Sequence, residues 1–227
     1  MLRFKNHFAI LTLLFSSLSF AADTAPMPNP VKMLNDTAQE TIQQITAVRA
    51  KLKINDDAPV PFAQVYKIID TLVIPDVDLV AISERTIGSA FKEASAQDQQ
   101  RFIDAYKTLL INTYGRVLAN YKDQKVQFFK VRGGYEGLSQ VNVNSQFIFA
   151  NRDPIKVTYT LIFDKKANEW NVVDVSVEGI SLLESFKSQF TAELQKGGLK
   201  QLLATLDAHN AAITAQISHS QPVAPSK

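Results

Sequence analysis

The stretch that decides the fold is residues 169–190, EWNVVDVSVEGISLLESFKSQF, which changes character at Glu178-Gly179. Before this pair the apolar residues alternate as in a β-strand, and after it they recur at helical spacing. Simple alternation places Val173, Val175 and Val177 on one face of the strand and Trp170 and Val172 on the other. A sheet with one hydrated face would alternate apolar and polar residues instead. We therefore expect one face of this strand to pack against helices and the other to border a cavity, and alternation alone leaves open which face is which.

Three more strand-like segments lie upstream of this stretch. The predicted strands are 125–131, 139–150, 155–163 and 170–178. Glycines, a proline or short polar runs separate them, as is typical of turns. Because short connections join antiparallel neighbours, the sequence predicts a curved, four-stranded antiparallel sheet.

Helical periodicity dominates the chain on both sides of these strands. The predicted helices are 30–53, 61–72, 76–87, 95–121, 180–196 and 199–209. For the longest helix, the pattern predicts a broad buried face made of Phe102, Tyr106, Leu109, Leu110, Thr113, Val117 and Tyr121. Helices, then an antiparallel sheet, then helices indicate an α+β fold. Helices that cross the concave face of a curved sheet enclose a cone-shaped interior.

The two ends of the chain are expected to lie outside the folded domain. Residues 1–21 have the positive start, short apolar run and small-residue cleavage site of a secretory signal peptide, with cleavage expected between Ala21 and Ala22. Residues 211–227 are polar and contain two prolines, so we expect a disordered tail. The sequence therefore predicts an exported protein with a single domain at 22–210.

Composition excludes several classes of protein. Without Arg3 and Lys5 the chain has 22 basic and 22 acidic residues, a formal net charge of zero. Nucleic-acid binding requires a concentrated basic surface, so we expect no nucleic-acid partner. The chain contains no cysteine, and no histidine lies between His7 and His209. The sequence therefore predicts no catalytic triad, no metal site and no cofactor.

Asp174 is the one candidate for catalysis. It alternates with Trp170 and Val172, and a carboxylate that faces an apolar cavity can act as a general base. No acidic partner is evident beside it, and a hydrogen-bonded strand residue is the simpler interpretation. We predict that the protein is not an enzyme, with a cavity enzyme that uses Asp174 as the alternative.

Aromatic and aliphatic side chains exceed what a small core needs, which indicates a site for an apolar ligand. Strands 139–150 and 155–163 place four aromatic residues on the inner face of the sheet, and the helices add more. A second alternative is that all of these side chains form an ordinary packed core, in an interaction module without ligand.

Three motifs resemble the MlaC family, whose members are periplasmic phospholipid-binding proteins of the Mla pathway for outer-membrane lipid asymmetry. They are NTYGRVLANY at 112–121, EWNVVDVSVEGISL at 169–182 and, more weakly, GSAFKEAS at 88–95 followed by QQRF at 99–102. The resemblance extends over residues 29–208, nearly the whole exported chain.

This resemblance implies an NTF2-like cone with additional N-terminal helices, whose cavity holds the acyl chains of a glycerophospholipid. It also implies a monomer that shuttles between an outer-membrane lipoprotein–porin complex and an inner-membrane ABC transporter with its lipid-binding hexamer. Alternation along the strands then suggests which side chains touch the lipid tails, although each of them also fits a plain core. The candidates are Phe147, Phe149, Val157, Tyr159, Leu161, Val173 and Val175 on the sheet, and Tyr106, Tyr114 and Phe186 on the helices, with Tyr114 at the rim.

Overall fold

A computed structural model describes residues 26–55, 58–122, 124–150 and 153–219. The signal peptide predicted at 1–21 lies outside the described residues, as do residues 220–227 of the predicted tail. Among the helices of the described part of the chain, none combines the length and the apolarity needed to cross a membrane.

The N-terminal half is helical, as the periodicity predicts. Its elements are α1 (Pro30–Lys51), α2 (Phe62–Ile68), a π-helical turn (Ile69–Val73), a 3₁₀ turn (Ile74–Asp76), α3 (Leu79–Ile87), α4 (Ser89–Lys92) and α5 (Ala96–Ala119). Asn29 caps α1 by accepting hydrogen bonds from the backbone nitrogens of Val31 and Lys32. Ser95 caps α5 through the nitrogen of Asp98, which fixes where that helix begins.

The close packing of α5 explains why the motif at 112–121 contains a glycine, Gly115. A Cβ atom at this position would lie 3.0 Å from the ring of Phe62 and 3.1 Å from the Cδ1 atom of Ile69. Contacts this short require the neighbouring side chains to move, so glycine allows α5 to approach α2 and the π-helical turn closely. The approach completes an N-terminal cluster of apolar side chains around Ile45, Val65 and Ile111.

The sheet is antiparallel throughout, in the strand order β1-β2-β3-β4-β5. The strands are β1 (Lys125–Phe128), β2 (Gln140–Ile148), β3 (Ile155–Asp164), β4 (Glu169–Val177) and β5 (Ile180–Ser181). The short β5 is the one strand beyond the predicted four, and Glu178 and Gly179 form the tight turn before it with φ of 50° and 81°. Two consecutive positive φ angles match the twist of a hairpin. The α+β fold class is therefore confirmed, with five strands in place of four.

A β-bulge in β4 corrects the predicted alternation of this strand. Leu161 of β3 pairs with Val172, whereas the next residue back along β3, Thr160, pairs with Asp174, so Val173 is the extra residue. The shift by one residue moves Val175 and Val177 to the same face as Trp170 and Val172. The assignment of these side chains to opposite faces was wrong, because alternation does not continue through a bulge.

The predicted buried face of α5 is also partly wrong. Phe102, Tyr106 and Leu109 are buried, but Thr113 is exposed and Val117 is 70% exposed. The packing partners of α5 change along its length, since its first half contacts α3 and α6 and its second half contacts α2. The buried face therefore rotates around the axis of α5. The part of the predicted face at Thr113 and Val117 is exposed at the surface.

Helix α6 (Leu182–His219) bends back on itself at Gly197 and Gly198, which have non-helical backbone angles. The bend brings Leu202, Leu203 and Leu206 against the first half of α6, as expected of two helices interrupted by glycine. Together with residues of α3, α4 and α5, these side chains form the helix cluster, whose aromatic members are Phe91, Phe102, Tyr106, Phe186 and Phe190. The second half of α6 continues to His219. Residues 211–219, which belong to the segment predicted to be disordered, are therefore helical.

Candidate functional site

The inner face of the sheet is a continuous apolar surface across β2, β3 and β4. Strand register places neighbours side by side, with Val143 opposite Tyr159 and Tyr159 opposite Val175. Side chains paired in this way project to the same side of the sheet. The bulge thus makes one apolar face from residues that simple alternation divides between two.

One end of this face is covered by the start of α1. Val141, Val143, Leu161, Trp170 and Val172 are buried there against Leu34, and we call this group the sheet cluster. The indole nitrogen of Trp170 donates a hydrogen bond to the carbonyl oxygen of Pro28, 2.8 Å away, which fixes the segment that leads into α1. The apolar residues Met27, Val31 and Leu34 recur at helical spacing and pack here. This spacing indicates an apolar face at the start of α1, although it does not report that the face packs on the sheet.

The opposite end of the inner face is more open. Val126 pairs with Phe147, Phe147 with Ile155 and Val157 with Val177. Val126, Phe147, Ile155 and Val177 are half-buried, and we call these four side chains the far end. Tyr159 lies between the two ends, and burial raises the pKa of its hydroxyl while the Ser145 hydroxyl beside it opposes that rise. The face therefore passes from a fully packed end to a partly uncovered one.

The helix cluster is closely packed around Tyr106. The centroid of its ring lies 5.2 Å from that of Phe190, 5.3 Å from that of Phe186 and 5.5 Å from that of Phe102. Burial raises the pKa of Tyr106, the hydroxyl of Thr86 lowers it, and the nearby Tyr114 and Asp174 raise it further. The rings are in the edge-on and tilted arrangements that aromatic pairs prefer. Tyr106 and Phe186 thus belong to a filled part of the interior.

Tyr114, the predicted rim residue, lies at the surface and is 37% exposed. Partial burial raises the pKa of its hydroxyl. Val117, one turn further along α5, is exposed as well.

Asp174 caps the start of α6. Its Oδ1 atom accepts a hydrogen bond of 3.1 Å from the nitrogen of Leu183, and its Oδ2 atom accepts one of 2.7 Å from the Ser181 hydroxyl. Ser181 in turn accepts a hydrogen bond from the nitrogen of Glu184. These bonds satisfy backbone donors that the first turn of a helix leaves unpaired, and a carboxylate there is also favoured by the helix dipole. The side chain proposed as a general base is therefore engaged in holding the junction between the sheet and α6.

The predicted tail-facing residues fall into four groups in the structure. Leu161 and Val173 are fully buried, and Val157 is 6% exposed. Tyr159 and Val175 are half-buried members of the inner face, and Phe147 and Phe149 are half-buried at the end of β2. Tyr106 and Phe186 lie in the helix cluster, and Tyr114 is at the surface. Strand pairing brings five of the seven sheet candidates onto the inner face: Phe147, Val157, Tyr159, Leu161 and Val175. The helix candidates are divided between the packed helix cluster and an exposed position on α5.

An antiparallel sheet whose apolar inner face is covered by helices is an α+β fold built around an apolar interior. The sequence model of one family, described as MlaC protein, matches residues 36–208, which is more than half of the chain. The chain belongs to the MlaC family.

Individual relatives agree with this assignment. The chain is 24% identical over 224 residues to the intermembrane phospholipid transport system binding protein MlaC of Haemophilus influenzae, with 98% of this chain and 97% of the relative covered. It is 26% identical over 190 residues to the toluene tolerance protein ttg2D of Pseudomonas putida, with 83% of this chain and 81% of the relative covered.

A solved structure matches the fold. It is a phospholipid-binding protein from Ralstonia solanacearum in complex with a phospholipid, 25% identical in sequence. The TM-score is 0.72, and the match covers 82% of this chain and 99% of that chain. Proteins named for phospholipid binding and for intermembrane phospholipid transport are therefore similar to this chain along most of its length.

Proposed function

We propose that this protein is a periplasmic phospholipid carrier that holds the acyl chains of a glycerophospholipid against the inner face of its sheet. The observation that carries the proposal is the far end, where an apolar face is left partly uncovered by the chain's own side chains. Its structural relative is a complex with a phospholipid, which supports the same kind of ligand.

The physical requirement on such a carrier is modest. Each methylene that leaves water gains about 0.8 kcal/mol, so a lipid with two chains is far too costly to move through water unprotected. In a bilayer the chains are already out of water, and the carrier only has to offer an environment as apolar as the membrane. The inner face does this with aliphatic and aromatic side chains and needs no reactive group.

A periplasmic carrier in the Mla pathway would exchange lipid at two membranes and so maintain the asymmetry of the outer membrane. Its partners in this proposal are an outer-membrane lipoprotein–porin complex and an inner-membrane ABC transporter with its lipid-binding hexamer. The relative named for intermembrane phospholipid transport supports this role. We propose that the protein acts as a monomer, since a shuttle has to leave each partner.

Native mass spectrometry of the protein purified from a bacterial periplasm tests the proposal directly. The expected result is a mass increment that corresponds to one glycerophospholipid, lost when the protein is denatured. The same measurement reports whether residues 1–21 have been removed. A chain that is consistently bare would overturn the carrier function and favour a packed interaction module.

A substitution on the inner face tests where the lipid lies. Val175→Glu places a carboxylate on the half-buried part of that face, where it would be in contact with lipid tails, and should greatly reduce lipid occupancy. The matched control is Asn142→Glu, which adds the same carboxylate at an exposed position opposite Thr160, on the outer face. Both variants are checked for folding by circular dichroism. Equal lipid occupancy in the two variants would place the lipid elsewhere.

A further inference from the structure

A cleft of about 450 Å³ lies between the first turns of α1 and the segment that follows β1. This volume is within the range of small-molecule sites in proteins. The residues that line it are Asn29, Val31, Lys32, Asn35, Phe128, Lys130, Val131, Gly134 and Tyr135. None of the candidate tail-binding residues named above is among them.

The polar part of the lining is basic. It contains two lysines and two asparagines, and no Asp or Glu is among its lining residues. Lys32 forms an ion pair of 2.5 Å with Asp36, so part of its charge is already offset. Lys130 is exposed and forms no ion pair with any residue in the described part of the chain. Lys130 is therefore the cation of the cleft that is available to a ligand.

Two carboxylates lie beside lining residues of the cleft, and both are engaged in other contacts. Asp36 is engaged by Lys32, and the carboxylate of Glu136 accepts a hydrogen bond from the backbone nitrogen of Tyr135. Because the exported chain has equal numbers of basic and acidic residues, the positive character of the cleft is a local arrangement and not a general excess of charge. Such an arrangement favours an anionic group.

The floor of the cleft is apolar and joins the interior. Val31, Phe128, Val131 and Tyr135 all pack against the sheet cluster. The ring of Phe128 also lies 5.8 Å from that of Tyr159, between centroids, and Tyr159 belongs to the inner face. A ligand in the cleft would meet cationic and amide groups at the surface and apolar rings beneath them. This gradient suits an amphiphile with an anionic head.

We propose that the cleft binds the phosphate-bearing head of an anionic phospholipid through Lys130 and thereby gives the carrier a preference for anionic over zwitterionic lipids. The proposal rests on the carrier function proposed above. In a zwitterionic lipid the phosphate is accompanied by an ammonium group, which Lys130 repels. The preference is a matter of head group alone, because the tails of the two classes can be identical.

The test is a competition between two lipids with the same tails. The protein is loaded from vesicles with equal amounts of dioleoyl phosphatidylglycerol and dioleoyl phosphatidylethanolamine, and the bound lipids are counted by mass spectrometry. An exposed ion pair contributes up to about 1 kcal/mol, so an enrichment of about two- to fivefold in phosphatidylglycerol is expected. It should fall towards one in high salt, which screens exposed charges.

Lys130→Gln removes the available cation and should abolish the enrichment without lowering total lipid occupancy. Lys125→Gln is the matched control, since Lys125 is an exposed lysine of β1 that does not line the cleft, and it should keep the enrichment. Equal ratios in wild type and Lys130→Gln, with lipid bound to both, would overturn the head-group proposal and leave the carrier function intact. Protein that binds neither lipid would overturn the carrier function itself.

A separate measurement distinguishes a lipid head from a free anion. Lipid-free protein is titrated with inorganic phosphate, and the backbone amide signals of Gly134 and Tyr135 are followed by NMR. The proposal expects phosphate to bind weakly and not to lower the loading of phosphatidylglycerol. Phosphate that binds tightly through Lys130 and leaves the lipid ratio unchanged would show a site for a free anion and overturn the lipid assignment.

Discussion

The helix cluster and the far end of the sheet contain the same kinds of side chain but differ in how completely they are packed. In the helix cluster, Phe102 is 0% exposed and is surrounded by the rings of Phe91, Tyr106 and Phe190. At the far end, Phe147 and its neighbours are half-buried. Apolar side chains stabilise a fold in proportion to the area that they remove from water. The helix cluster therefore stabilises the fold more than the far end does. The apolar area that stays exposed at the far end is available to a ligand, which is why we assign ligand binding to it.

The same truncation in the two regions gives the largest expected effect. Phe102→Ala should lower the free energy of unfolding by about 3–5 kcal/mol, because a fully buried ring leaves a cavity behind. Phe147→Ala should cost less, about 1–2 kcal/mol, because its ring is only partly buried and less apolar area is lost from the interior. Urea unfolding followed by circular dichroism, with lipid-free protein, measures both.

Lipid occupancy should respond in the opposite order. Phe147→Ala removes a ring that we place against the acyl chains, whereas Phe102→Ala acts on the helix cluster. If both variants lose the same stability, or if only Phe102→Ala loses lipid, the distinction between the two regions is wrong.

Trp170→Phe tests the covered end of the sheet. It removes the hydrogen bond to Pro28 and replaces a fully packed indole with a smaller ring, at an expected cost of about 2 kcal/mol in the free energy of unfolding. Trp170 is the single tryptophan of the chain, so the unfolding of this variant has to be followed by circular dichroism. Proteolysis near residues 26–30 should also become faster. A loss of stability without faster proteolysis would mean that Trp170 does not hold the segment before α1.

These differences show which features the sequence encodes locally. Helix α5 begins directly after its cap, Ser95, and the strands occur where period-two alternation occurs, because capping and alternation act between near neighbours. The bulge at Val173 depends on how β4 pairs with β3. The residues around Val173 do not encode that pairing, so the local sequence does not predict the bulge. The exposure of Val117 likewise depends on how α5 is rotated against α2, a tertiary effect. The faces of individual residues were therefore harder to predict than the elements that contain them.

The same limit applies to the candidate site. Leu161, Tyr159 and Val157 lie on one face of β3, as alternation predicts, because no bulge interrupts that strand against β2. Which end of that face is covered depends on α1, more than a hundred residues away in the chain. The hydrogen bond between Trp170 and Pro28, which the sequence does not report, shows in the structure which end is covered.

Asp174→Ala should have an intermediate effect. It removes the acceptor for Leu183 and Ser181 at the start of α6, which should cost about 1–2 kcal/mol in the free energy of unfolding, as for other helix caps. Asp174→Asn is the matched control, because its side-chain oxygen still accepts from Leu183, and should cost less than Asp174→Ala. Lipid occupancy should be retained in the Asn variant. A turnover of any apolar substrate that Asp174→Asn abolishes would instead support the enzyme alternative.

The smallest expected effect concerns Asp76, which links the 3₁₀ turn to α1 by accepting a hydrogen bond from the Thr37 hydroxyl. Burial raises the pKa of Asp76, the Thr37 hydrogen bond lowers it, and the charge of Glu169 raises it further. The folded protein therefore takes up this proton more readily than the unfolded chain does. Stability should fall as the pH rises from the ordinary value of 3.8 through the raised pKa, because the charged form is disfavoured in the fold.

Asp76→Asn removes this titration while an oxygen remains to accept from Thr37. At pH 7 the variant should be as stable as wild type or more stable by up to about 0.5 kcal/mol, since the site is partly exposed and screened by solvent. At pH 3.5 that advantage should vanish, because the carboxyl of the wild type is then protonated. Glu169→Gln should change the pH dependence in the same direction but less, as it removes only the smaller of the two causes that raise the pKa. A variant that is less stable than wild type at pH 7 would show that the charged carboxylate favours the contact between α1 and the covered end of the sheet.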